Sequence, residues 1–209
     1  QLYIIIGICS WSVAASVISI TSCIKYAVAI GPSPPITPNV FMLQSSVITV
    51  FSDIKPFKMH GNIYFAGSTK VSVHLIDTED GIVLIDTGYP DMYDQILNSM
   101  KYLGFDAKDI VAIIHSHGHI DHFGCTNEFK DLSGAKTYIS RIDNEISNGT
   151  LDLSWAKELN LPRIKPFDAD FLVDDGDVFK FGSTVIRFRL APGHTDGTLA
   201  IFADYEENG

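Results

Sequence analysis

The chain is poor in cysteine, with three in 209 residues, and two of these, Cys9 and Cys23, fall in one apolar segment near the start. No disulfide framework can be built from that spacing, and Cys125 stands alone as a small residue packed behind a motif. Positive charge is also scarce. Fifteen Lys and Arg face 25 Asp and Glu, giving a net charge of −10. So acidic a chain repels phosphate backbones, which excludes nucleic acid as a partner. There is no GxSxG elbow, so a serine nucleophile on a strand-to-helix turn is not expected. Repeats are absent, and so is any low-complexity tract after the first segment.

Charge is missing altogether from residues 2–24, LYIIIGICSWSVAASVISITSCI. That length can span a bilayer as a helix, so the segment reads as an export signal or anchor. Ile20-Thr21-Ser22-Cys23 resembles a bacterial lipobox. GPSPPITP (31–38) follows at once and reads as a tether. The expected organisation is a signal or anchor over 1–30, a Pro-rich lead-in over 31–57, and a folded domain over 58–209. The domain is expected to act outside the cytoplasm and to meet a membrane only through the N-terminal segment.

From residue 60 onward strands and helices alternate. NIYFAG (62–67), VSVHLID (71–77) and GIVLID (81–86) read as strands, with Glu79-Asp80-Gly81 as a turn. A helix is expected over 91–103, capped by Asp91 and stopped by Gly104. IVAIIH (110–115) is a continuous apolar run and reads as a buried strand. A helix over 121–132, a strand at KTYIS (136–140) and a helix over LSWAKEL (153–159) follow. VFKF, STVIRFRLA and TLAIFAD make a β-rich end. This pattern predicts a layered α/β fold.

What the chain does have is histidine in one place. IIHSHGHIDHFGC (113–125) packs four histidines and an aspartate into eight residues, His115 to His122. His60, His74 and His194 are the remaining three. His117 and His119 are two apart, so in an extended segment both point to one side and can grip one ion at about 2.0–2.1 Å per Zn–N bond. Asp121 and His122, at a helix start, can serve a second ion. Imidazole with one carboxylate and no thiolate favours zinc ahead of iron, manganese or cobalt, and does not suit calcium. His115 reads as the last residue of the strand, outside the ligand set. A third ligand for the first ion should come from another strand end, and His194, after STVIRFRLA and beside Gly193, supplies it. Asp86 ends a strand and could orient a ligand histidine.

These residues, LIDTG (84–88), SHGHIDHFG (116–124) and PGHTDGT (192–198), resemble the metallo-β-lactamase fold superfamily, and most of all the third subclass of class B β-lactamases. The resemblance covers roughly residues 58–209. It implies a four-layer αββα sandwich, truncated here at the C-terminus, with further strands and the last histidine of the second zinc beyond Gly209. It implies two zinc ions, the first held by His117, His119 and His194 and the second by Asp121 and His122. Cys125 stands where a second glycine is usual, and Asp196 where proline is usual. The implied reaction is hydrolysis of a small-molecule amide, the β-lactam ring first, by a metal-bound hydroxide that Asp121 ligates and orients. Lactones and thioesters are the alternatives within the superfamily. A non-catalytic metal-binding surface domain is the alternative outside it.

Overall fold

The computed structural model describes residues 4–6, 54–161 and 165–204. The signal or anchor segment and the tether expected from the sequence lie, apart from residues 4–6 and the last few residues of the lead-in, outside the described residues. Ile4–Ile6 forms a short strand, β1. Among the described residues no helix is long and apolar enough to cross a membrane.

Two sheets carry the fold. The larger runs β2 (Phe57–His60), β3 (Ile63–Phe65), β4 (His74–Asp77), β5 (Ile82–Ile85), β6 (Ile110–Ile114), β7 (Lys136–Ser140) and β8 (Phe171–Val173), in that spatial order. Its first part is an antiparallel meander, and from β5 onward neighbours run parallel. The smaller sheet orders β1, β11 (Leu199–Asp204), β10 (Thr184–Leu190) and β9 (Val178–Phe181), all antiparallel.

The burial of each strand explains the layering. β5 and β6 are apolar nearly throughout, IVLI and IVAII, as strands covered on both faces must be. β10 and β11 alternate, with Ile186, Phe188, Leu199, Ile201 and Ala203 inward. These inward residues meet Ile63, Ile76, Val83, Ile85 and Ile114 to form the core between the sheets. The opposite face of the large sheet packs on α1 (Tyr93–Leu103) and α3 (Thr126–Ser133) through Ile96, Met100 and Phe129. The described residues therefore form three of the layers of the expected sandwich: helix, sheet, sheet.

Three local expectations need correction. α1 begins at Tyr93, and its cap position is Met92 with no side-chain bond, so Asp91 does not cap it. The helix expected over 121–132 is two helices, α2 (Ile120–Phe123) and α3, because Cys125 leaves helical geometry between them. Gly124 sits at the break, where a Cβ would lie 2.4 Å from the Pro90 nitrogen, so only glycine allows this approach. LSWAKEL is not a helix. It makes overlapping turns, Leu159 N–H to Trp155 C=O and Leu161 N–H to Ala156 C=O, and Trp155 itself takes the left-handed φ of 64°. α4 (Asn144–Ser147) is the last helix of the described residues.

The topology sets the position of the site. β5 and β6 are parallel and in register at Ile85 and Ile114, so Asp86 and His115 leave the sheet at the same edge. Leu199 N–H donates to Ser116 C=O at 2.8 Å. That bond brings the β10–β11 loop, from the other sheet, onto the same edge.

Candidate metal centre

Asp86 is the organising residue. It is buried and holds a left-handed φ of 60°, a conformation a non-glycine residue keeps only when its surroundings impose it. Its Oδ1 accepts the Ser116 N–H at 2.8 Å, and its Oδ2 accepts the Ser116 hydroxyl at 2.7 Å and the His122 Nδ1–H at 2.8 Å. The sequence expectation that Asp86 orients a ligand histidine corresponds to this last contact.

The Ser116 hydroxyl fixes a tautomer. Its one proton goes to Asp86, so its oxygen, 3.1 Å from His117 Nδ1, accepts the Nδ1–H of that ring. His117 Nε2 is then a bare lone pair. It is buried and has no hydrogen-bond partner. Burial and the neighbouring imidazoles of His122, His119 and His194 push the His117 pKa far below the ordinary histidine range, so the ring is neutral at physiological pH. A buried, unpaired, neutral nitrogen is costly unless something electron-poor meets it.

The other residues gather around the His117 ring. His117, His119 and His194 place one ring nitrogen each within 4.8 Å of one another. His119 Nδ1 and His194 Nε2 face each other at 2.9 Å. Burial, and then the His194 beside it, lowers His119 to about 4. His117, Asp121 and His122 form a second group by the same measure, so His117 stands between the two. The rings of His117 and His122 lie 4.0 Å apart, and His122 Nε2 is 3.5 Å from Asp121 Oδ2. Burial opposes a charge on His122, but Asp86 and Asp121 overcome it and raise its pKa to about 10. Burial likewise works against an ionised Asp121, yet the His122 beside it holds the carboxyl below its usual range. His117, His119 and His194 are neutral imidazoles beside an ionised Asp121, a donor set that fits zinc, while His122 carries a proton on its site-facing nitrogen that an ion would displace. The orphaned His117 nitrogen is what an ion would satisfy.

His115 stays outside both groups. Its Nδ1 lies 3.2 Å from the His122 carbonyl and its Nε2 3.2 Å from the Thr126 hydroxyl, so it ties β6 to the start of α3. Burial lowers it to about 4. Cys125 is buried, donates its thiol to the Tyr89 carbonyl, and burial raises its pKa to about 12, which describes an inert packing residue.

Sequence reasoning missed two residues here. Trp155, half exposed, sets its ring 6.1 Å from that of His119, while Ile120 N–H donates to Ser154 C=O. Asp143, just past β7, is buried and accepts from Gly118 N–H at 2.8 Å and Thr195 Oγ1–H at 2.6 Å. Burial raises its pKa in spite of these bonds. Neither residue belongs to a spaced motif, so no local pattern marks them.

Comparison with known proteins agrees with the fold. The chain resembles the crystal structure of a subclass B3 metallo-beta-lactamase of Bradyrhizobium japonicum, with 28% identity over 77% of this chain and 61% of that one, at a TM-score of 0.68. A class B3 di-zinc metallo-beta-lactamase from an Alaskan soil metagenome gives 28% identity over 80% and 63%, at a TM-score of 0.69. In sequence it is 26% identical to an N-acyl homoserine lactonase of Bacillus thuringiensis over 161 residues, 65% of this chain and 59% of the lactonase. The chain thus spans about three fifths of the length of these relatives. The family model described as the metallo-beta-lactamase superfamily matches residues 66–207, most of the folded part, and the chain belongs to that superfamily.

Proposed function

We propose that this chain is the metal-binding part of a zinc-dependent hydrolase that opens a cyclic amide, with the β-lactam ring as its substrate. The observation that carries the reading is His117, a member of both candidate ligand groups, whose Nε2 is buried and bare. His117, His119 and His194 would hold the first ion, and Asp121 and His122 would contribute to the second. Zinc held there would supply Lewis acidity for the substrate carbonyl and lower the pKa of water to about 7. Asp121, ionised beside His122, orients the attacking water through a carboxylate oxygen. Asp86 keeps the His122 ring turned so that Nδ1 is occupied and Nε2 is presented to the site. Trp155 offers an apolar wall beside His119 for the body of the substrate. The uncharged segment 2–24 supports an extracytoplasmic location, with contact to a membrane through that segment alone.

A lactone is the second reading. It is supported by the sequence similarity to the Bacillus lactonase. The test is hydrolysis of imipenem by the zinc-loaded protein, with a chelator control. Turnover that the chelator abolishes and zinc restores is the expected result. Bound zinc without turnover discards the β-lactam ring and sends the assay to acyl homoserine lactones, read as acid release.

A further inference from the structure

The ligands of the proposed first ion come from two loops on two different sheets. His117 and His119 follow β6, and His194 lies between β10 and β11. Besides the direct Leu199–Ser116 bond, a third segment ties the loops together. The Asp143 carboxylate reaches both. Its Oδ2 accepts Gly118 N–H, between the two histidines of the first loop, at 2.8 Å. The same oxygen accepts the hydroxyl of Thr195, the residue after His194, at 2.6 Å. Its Oδ1 accepts Gly197 N–H at 3.0 Å. Asp143 itself is fixed, because its N–H donates to Ser140 Oγ at 3.1 Å, at the end of β7.

The glycines at the two contact points admit this approach. A Cβ at 118 would lie 3.2 Å from the Asp143 Cβ, and one at 197 would lie 2.4 Å from Asp143 Oδ1 and 2.3 Å from Ser140 Oγ. A carboxylate is the side chain that suits the position, since three donors converge on it and it accepts without donating.

Resting on the metal reading of the site, we infer that Asp143 is a positioning residue: it clasps the His117–His119 loop to the His194 loop and so sets the affinity and geometry of the first ion. It touches neither ion nor substrate. Removing it leaves Leu199–Ser116 as the direct tie and loosens His194 relative to the other two imidazoles, while Asp86 continues to hold Ser116 and His122.

The experiment is cobalt(II) and zinc binding by the full chain, without substrate, comparing the parent with Asp143→Ala, Asp143→Asn and Thr195→Val. Affinity is read by competition with a chromophoric chelator, geometry by the visible cobalt spectrum, and folding by far-ultraviolet circular dichroism. Asp143→Ala should raise the dissociation constant of the three-histidine site about tenfold, the lower range for outer-shell changes. Its cobalt bands should shift, with the second site less affected. Thr195→Val, which keeps the carboxylate, should weaken the same site by about threefold, near the loss of one modest hydrogen bond. Asp143→Asn, one acceptor short, should fall between them. A merely structural residue would lower the melting temperature and leave the cobalt spectrum of the folded protein unchanged, and that result overturns the clasp. If Asp143→Ala does not fold, Thr195→Val decides by the same spectrum. A parent protein that takes up no ion at these histidines overturns the metal reading and the clasp together, whereas variants that bind like the parent overturn the clasp alone.

Discussion

The two loops that meet at the centre are built in opposite ways. The loop after β6 is held from within. Asp86 takes three hydrogen bonds from it, His115 braces its far end against Thr126, and His117 is buried. The β10–β11 loop is a short hairpin turn with His194 only partly buried. It closes on itself through Thr195 and Thr198, and it meets the first loop through Leu199 and Asp143. One loop has its shape from its own sheet, and the other borrows its position from its neighbours. The lesson is that a ligand's burial and its anchorage are separate properties, and that the exposed partner needs the longer-range tie.

The largest effect should come from breaking the inner loop. Asp86→Ala removes the acceptor for three donors, two of them buried, and leaves a strained backbone without its cause. A loss of about 3 kcal/mol or more is expected, seen as a lower denaturation midpoint and weaker zinc uptake in titration. A variant of parent stability would place the anchorage elsewhere.

Acid should separate the loops next. Burial lowers His74 and His115 to about 4, against 6.5 in the unfolded chain. The unfolded chain therefore binds more protons across that window, so stability is complete above about pH 6.5 and drains away as pH falls toward 4. Each histidine contributes on the order of 2–3 kcal/mol to that loss in the metal-free protein. His74→Leu should flatten the slope of the denaturation midpoint against pH by about a quarter, because His115, His117 and His119 are lowered as well. An unchanged slope would deny that the large-sheet side carries the acid sensitivity.

The smallest effect should come from the hairpin. Gly197→Ala crowds Asp143 and Ser140 and should cost about 1–3 kcal/mol. Zinc titration should then show weakening at the three-histidine site with Asp121 and His122 still competent. Equal weakening at both would mean the loops are not independently anchored.

The residues of the inner loop were legible because they are consecutive and lie at strand ends, where spacing alone says which side chains share a side. His194 was legible by the same token, as a histidine beside glycine after an apolar strand. Asp143 was not, because its contacts join positions 25, 52 and 54 residues apart and its own surroundings, 141–170, lack a period. Helix boundaries failed for a related reason. Propensity over LSWAKEL favours a helix, but Trp155 takes a left-handed turn against the metal edge, a tertiary demand that no local pattern announces.

Because the three imidazoles are drawn from both sheets, ion uptake and sheet docking are linked equilibria. An ion at a thousand times its dissociation constant would add about 4 kcal/mol to the docked form. Zinc would thus act on this chain as a rivet driven through two plates, and chelation would be felt first as play between the plates, read out by faster amide exchange in β10 and β11 than in β5 and β6.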